Sequence, residues 1–203
     1  GEAVGTFHGY VWEGIDKEGR DKYTDFNNNG KLDASDRRVL GKANPDFTLG
    51  WNNTLHFKQW ELNAFFNAAF GAQRLNVARF LMNAMPGASA FVTDADYVKN
   101  MGVTMPRLDA VGNKNYGNSS KWIENADYLR LENISLAYNL TKEQTKFADI
   151  RLSFGVQNLF TLTGYKGADP AGFSFGRADY ENGVDMGGYP APRTFTLGAR
   201  FTF

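Results

Sequence analysis

The chain contains no cysteine, which excludes disulfide staples, thiolate metal sites and thiol catalysis. No continuous run reaches the ~18 apolar residues that a membrane-crossing helix needs. Net charge is missing as well: 22 Lys and Arg balance 22 Asp and Glu, so no overall field favours nucleic acid or another polyanion as partner. Histidine occurs only at His8 and His56, neither with a nucleophile or metal partner at motif spacing. The chain is therefore read as having no catalytic residues and as not an enzyme. It opens Gly1-Glu2-Ala3 with neither an initiator Met nor a signal peptide, and the expectation is a mature product or a fragment.

What is present points in one direction. Aromatics make up 15% of the 203 residues and 22 are Gly, yet mean hydropathy is −0.44. A membrane β-barrel reconciles these values, because lumen-facing polar residues dilute lipid-facing ones in any window average. The last ten residues carry the pattern most clearly. Phe195, Leu197, Ala199, Phe201 and Phe203 fall on one face, and Thr194, Thr196, Gly198, Arg200 and Thr202 on the other. Eight steps of about 3.3 Å give roughly 26 Å of strand, or about 19 Å of membrane depth at a 45° tilt. Aromatics at both ends of that span suit two interfacial girdles.

Other segments repeat the alternation. Phe47, Leu49, Trp51, Leu55 and Phe57 share one face; Trp60, Leu62, Ala64, Phe66, Ala68 and Phe70 share the next. Only Gln59 and its immediate neighbours are left for the turn, which makes this a tight hairpin. Ile150, Leu152, Phe154 and Val156 alternate with Arg151, Ser153, Gly155 and Gln157, and Tyr128 to Leu140 is strand-like with a phase shift near Asn133 that suggests a bulge. Val4 to Trp12 is a weaker sixth candidate. Connections at about 15–45, 71–125 and 161–192 are long, whereas those near Gln59 and from Thr141 to Ala148 are short. Outer-membrane barrels have short periplasmic turns and long extracellular loops, so the final strand descends to the periplasmic rim. Six strands are fewer than the eight at which single-chain bacterial barrels begin, and the expected fold is all-β, a segment of a larger antiparallel transmembrane β-barrel. Within residues 71–125, Val77 to Met82 reads as a short loop helix.

The sharpest local motif runs from Asp25 to Asp36. Set on the twelve-residue calcium loop, Asp25, Asn27, Asn29 and Asp33 supply side-chain oxygens at positions 1, 3, 5 and 9. Lys31 offers its carbonyl at position 7, Asp36 a carboxylate at position 12, and Gly30 the turn at position 6. A structural Ca2+ stiffening an extracellular loop is expected, with the alternative of an Asn/Asp-rich turn that holds no ion. No flanking helix pair suggests a calmodulin-like switch. The carboxylate pairs Asp94/Asp96 and Asp179/Glu181 read as solvated loop charge unless folding sets them across a cleft. Tyr116, Trp122, Tyr165, Phe173, Phe175, Tyr180 and Tyr189 lie in or beside long loops, either as ligand-stacking faces or as loop packing.

Five segments, taken in order, resemble the C-terminal region of SusC/RagA-like TonB-dependent outer-membrane transporters. They are Asp25 to Gly41, Asn44 to Trp51, Lys121 to Tyr138, Gln157 to Pro170 and Tyr189 to Gly198, and together they cover nearly the whole chain outside a variable stretch near 71–118. The resemblance implies that residues 1–203 are about six C-terminal strands of a 22-stranded barrel in the outer membrane of a Gram-negative bacterium. It also implies an N-terminal plug and a TonB box outside this chain, and a SusD-like surface lipoprotein as lid. TonB-energised uptake of oligosaccharides or peptides would follow. Phe201 and Phe203 would then form the signal read by the barrel-assembly machinery. One departure stands at the Asp169-Pro170 turn, where the family pattern has a bulky residue and an acid and this chain has Ala168 and Ala171; substrate contacts there are not carried over. The competing reading is a calcium-stiffened surface adhesin or carbohydrate-binding β module without transport.

Overall fold

The computed structural model describes residues 1–83, 99–107, 112–172 and 182–203. Its strands are β1 (Thr6–Gly9), β2 (Trp12–Ile15), β3 (Asp21–Tyr23), β4 (Arg38–Lys42), β5 (Phe47–Phe57), β6 (Trp60–Phe70), β7 (Gln73–Asn76), β8 (Ile123–Asn125), β9 (Tyr128–Leu140), β10 (Asp149–Thr163), β11 (Val184–Asp185) and β12 (Thr194–Thr202). Two compact units divide them, one from Pro45–Gly71, Ala126–Gly164 and Pro190–Phe203, the other from the remaining long connections.

The first unit is a five-stranded sheet in the order β12-β10-β9-β6-β5, with every neighbouring pair antiparallel. Its strands are 9 to 15 residues long, enough to cross a bilayer at a tilt. Register places the apolar positions in rungs. Leu55, Leu62, Leu136, Phe154 and Leu197 line up across all five strands, as do Phe57, Trp60, Tyr138, Leu152 and Ala199. Phe195 is 63% exposed, Leu197 84% and Trp51 55%, all on this face. Ring pairs brace it, Trp51 on Phe66 at 5.4 Å and Trp60 on Tyr138 at 4.6 Å. A face of this size left open to water is foreign to a soluble protein, and hydrocarbon is the solvent it suits.

The opposite face is polar. Arg151 grips Glu61 in a two-pronged ion pair, both contacts 2.8 Å, and also donates to Asn139 Oδ1 at 3.1 Å. Glu61 and Arg151 lie two strands apart, and Ala137, the residue opposite Glu61 on the strand between them, is only 2% exposed. Its small side chain leaves room for the long ones to meet above it. Asn63 reaches Thr54 at 2.8 Å and Arg130 reaches Thr161 at 2.9 Å, extending a wall of amides and hydroxyls.

Local chemistry explains the connections. Lys58 and Gln59 make the two-residue turn expected between β5 and β6, with Lys58 at φ 53°. The expected bulge is at Glu132: Phe65 pairs with Asn133 and Phe66 with Leu131, which leaves one residue over and restores Leu131 and Leu129 to the apolar face. Facing it, Asn158 turns through φ 52°, a conformation Asn tolerates, and donates to the Pro192 carbonyl at 3.0 Å. β10 thereby continues to Thr163, well past the Val156 at which alternation in the sequence stops, and Phe160 and Leu162 return to the apolar side.

The second unit is loop-built. β1 pairs with β4, β2 with β3, and β7 lies between β11 and β8. The sixth candidate, Val4 to Trp12, contributes to this unit and not to the barrel sheet. It yields β1 of four residues, interrupted by a register shift after Phe7, and the start of β2; neither can span a membrane. The expected loop helix is present as Val77–Asn83. Among the described residues no helix is long and apolar enough to cross a membrane. Trp122 is fully buried and Met105 1% exposed, with Leu75 and Phe80 packed against them as the core of this unit.

The assigned faces make a direct prediction. Leu197→Arg costs about 2 to 4 kcal/mol if the residue lies near the bilayer midplane, whereas Thr196→Arg on the polar face costs far less. Equal losses on urea unfolding from lipid vesicles would reject this phase.

Candidate functional site

The loop unit owes its order to polar groups taken out of water in pairs. Asp21 and Lys121 meet at 2.5 Å with side chains 0% and 3% exposed. Trp12 Nε1 donates to the same carboxylate at 2.8 Å, and Asn113 accepts from the Asp21 backbone N–H at 2.7 Å. The Lys121 ammonium lies 4.9 Å from the Trp122 ring and 5.3 Å from that of Trp12. Burial holds the Lys121 pKa below the ordinary lysine value, with Asp21 opposing the shift. Tyr10, Tyr23 and Tyr116 form a second cluster, Tyr116 being 4.6 Å from Tyr10 and 5.1 Å from Tyr23.

These contacts decide among the loop aromatics. Trp122 is core, with Nε1 bonded to Asn115. Tyr116 packs against two tyrosines, and Tyr165 is buried with its hydroxyl donating to Asp185. Tyr189 alone of the described candidates stands open, at 93% exposure. Phe173, Phe175 and Tyr180 lie outside the described residues, as do Asp94/Asp96 and Asp179/Glu181.

The Asp25–Asp36 segment folds as one loop around its own backbone. Asp25 accepts from the N–H of Gly30 at 2.8 Å, Asn27 from Asn29 at 3.0 Å, and Asn29 from Lys31 at 2.7 Å. Gly30 sits at φ 77° and Leu32 is half-buried, as the motif requires. Asp33 caps the turn Ala34–Asp36, accepting from Ser35; the Ser35 hydroxyl and N–H together with Asn29 hold its pKa below the usual carboxylate value. Asp36 is fully buried, and its two oxygens accept from Phe26 at 2.9 Å and Asp33 at 2.8 Å. Among the described residues no three His, Cys, Asp or Glu side chains converge as a metal cage. The loop's donor set has hard-cation chemistry, with Asp36 turned onto backbone N–H groups; each of its oxygens keeps a second lone pair.

A cavity of about 540 Å³ opens in the same unit, lined by Asn76, Arg79, Lys166, Ala168, Asp185 and Gly187. Two of these residues are held by Glu124, which accepts from Arg79 at 3.0 Å and from the Lys166 N–H at 3.0 Å. Asp185 is pinned by Tyr165 and the Gly187 N–H. Sequence reasoning missed this set, because its members come from three separate stretches and no spacing links them. Ala168 lines it where a bulkier residue was expected.

A sheet apolar on one face and hydrogen-bonding on the other, with long connections at one end, defines the wall of an outer-membrane β-barrel. Comparison with known proteins agrees. No family model matches the chain. A TonB-dependent receptor of Formosa agariphila is 33% identical over the full chain, which covers 22% of that receptor, and the TonB-dependent receptor SusC of Bacteroides thetaiotaomicron is 28% identical, also over the full chain and 20% of its own length. The RagAB peptide importer in its open-open state superposes with a TM-score of 0.76 at 23% identity, over 98% of this chain and 22% of that one, and shows the same fold. The chain belongs with the SusC-like TonB-dependent receptors and spans about a fifth of the curated relatives' length. Its place is the outer membrane of a Gram-negative bacterium, and it is not an enzyme.

Proposed function

We propose that this chain supplies barrel wall and outer loops to a TonB-dependent importer of oligosaccharides or peptides that works beneath a SusD-like lipoprotein. The observation that carries the reading is the one-faced sheet within a chain that matches such receptors from end to end. The plug and TonB box would come from the rest of the receptor. Deleting the receptor should abolish growth on the one glycan or peptide source it serves, with restoration by the intact receptor and not by one lacking its TonB box. Unimpaired growth on every source, together with loss of surface attachment, would favour the adhesin reading.

Calcium is part of the proposal. Asp25, Asn27, Asn29, Asp33 and Asp36, with the Lys31 carbonyl, would surround one ion, Asp36 using a lone pair that its backbone contacts leave free. Affinity in the ~0.1 to 1 mM range suffices outside the cell. Calorimetric titration should give a binding heat that Asp25→Ala removes; no heat with the native loop would reject the site.

Assembly is the third element. By resemblance, Phe201 and Phe203 on the lipid face are what the barrel-assembly machinery reads. Deleting Phe203 in the intact receptor should leave export unchanged and lower the folded amount in the outer membrane, while Phe203→Tyr, which keeps an interfacial aromatic, is tolerated. Unchanged levels by heat-modifiable migration would make Phe203 only the end of a strand.

A further inference from the structure

We infer that the apolar face carries a seat for one glycerophospholipid of the periplasmic leaflet, an inference that rests on reading the sheet as barrel wall. The face is not uniform. At the end bearing both short turns, the rung Trp60, Tyr138, Leu152 finishes on Ala199, whose side chain is a single methyl, while the next rung ends on Phe154 and Leu197. Bulky neighbours on two sides and a small residue between them leave a groove of about 760 Å³, almost wholly apolar, crossing β6, β9, β10 and β12. A flat or convex wall exchanges its lipids freely. A groove presents walls on more than one side of a chain, so an acyl chain seated there makes more dispersion contacts than one lying on a flat wall.

The short-turn end of the groove has a chemistry that orients the guest. Trp60 and Tyr138, stacked at 4.6 Å, mark the headgroup level, since amphipathic rings settle at the membrane interface. Just beyond them the two short turns expose Lys58, Lys142 and Lys146, with Glu143 and Asp149 beside them; Asp149 accepts from the Lys142 backbone N–H at 2.6 Å. Phe147 stands 54% exposed in the same turn. Ammonium groups above an aromatic pair above an apolar trough match a phosphate, a glycerol backbone and an acyl chain in that order. The short turns face the periplasm in barrels of this kind, which commits the seat to the inner leaflet and to a phospholipid.

The test uses the intact receptor, purified from outer membranes in mild detergent, delipidated and titrated with phosphatidylglycerol under native mass spectrometry. The native receptor should retain the lipid. Ala199→Phe, which fills the groove, should lower retention severalfold by taking the space an acyl chain would occupy. Lys142→Gln with Lys146→Gln should weaken retention less. Heat-modifiable migration reports folding separately, so a receptor that never inserts condemns the barrel reading and not the seat. Where Ala199→Phe fails to fold, Ala199→Leu decides. Equal retention by folded native and filled receptors, or native receptor carrying lipopolysaccharide in place of phospholipid, would overturn the inference.

Discussion

Backbone hydrogen bonding in hydrocarbon is the constraint on which this structure depends. A strand facing lipid has no water to satisfy its N–H and C=O groups, so each must pair with a neighbouring strand along its whole length. That requirement explains why β9 and β10, the longest strands, resume pairing after a one-residue register shift and form twelve matched pairs despite a bulge in one and a left-handed Asn in the other. Irregularity is confined to one spot, Glu132 opposite Asn158 and Leu159, where the two deviations face each other and the ladder resumes on both sides. The outer edges of β5 and β12 carry the same demand, which a continuing barrel would meet.

Side chains then sort by solvent. On one face, aromatic and aliphatic rungs lie against lipid, and packing between rings adds to what burial supplies. On the other, the Glu61–Arg151 pair is half-exposed and its worth lies in tying β6 to β10 across β9 more than in raw stability. The loop unit follows different rules. It has a small apolar core around Trp122 and Met105, and is ordered by desolvated polar groups: Asp21 with Lys121, Glu124 with Arg79, Asp185 with Tyr165. Breaking any of these leaves a buried polar or charged group without compensation, so each connection is held by contacts far away in sequence.

Period-two alternation made the wall legible in the sequence, because a residue's face is set by parity alone once a strand is extended. The Lys58-Gln59 turn, the helix at Val77–Asn83 and the bulge near Asn133 were readable for the same reason: each is a local break in a local period. Reading failed where a break is repaired from outside. The alternation of β10 is lost after Gln157, since nothing in the sequence announces that Asn158 is held in a left-handed turn with its side chain on Pro192. Val4 to Trp12 looked like a strand of the wall, and its alternation is real, but its partners belong to the loops.

What the sequence alone determined is the identity of the two faces, which connections are short and which long, and the residues of an oxygen-rich loop, all of which depend on spacing along the chain. Tertiary structure decided which aromatics are core and which are free, since Trp122 and Tyr189 are indistinguishable as letters and differ only in what folds over them. It decided that Asp36 serves the backbone of its own loop, and that Asn76, Arg79, Lys166 and Asp185 surround one cavity. Those outcomes depend on contacts between residues many tens of positions apart. Spacing encodes local geometry, and only the closing of the chain brings distant charges within reach of one another.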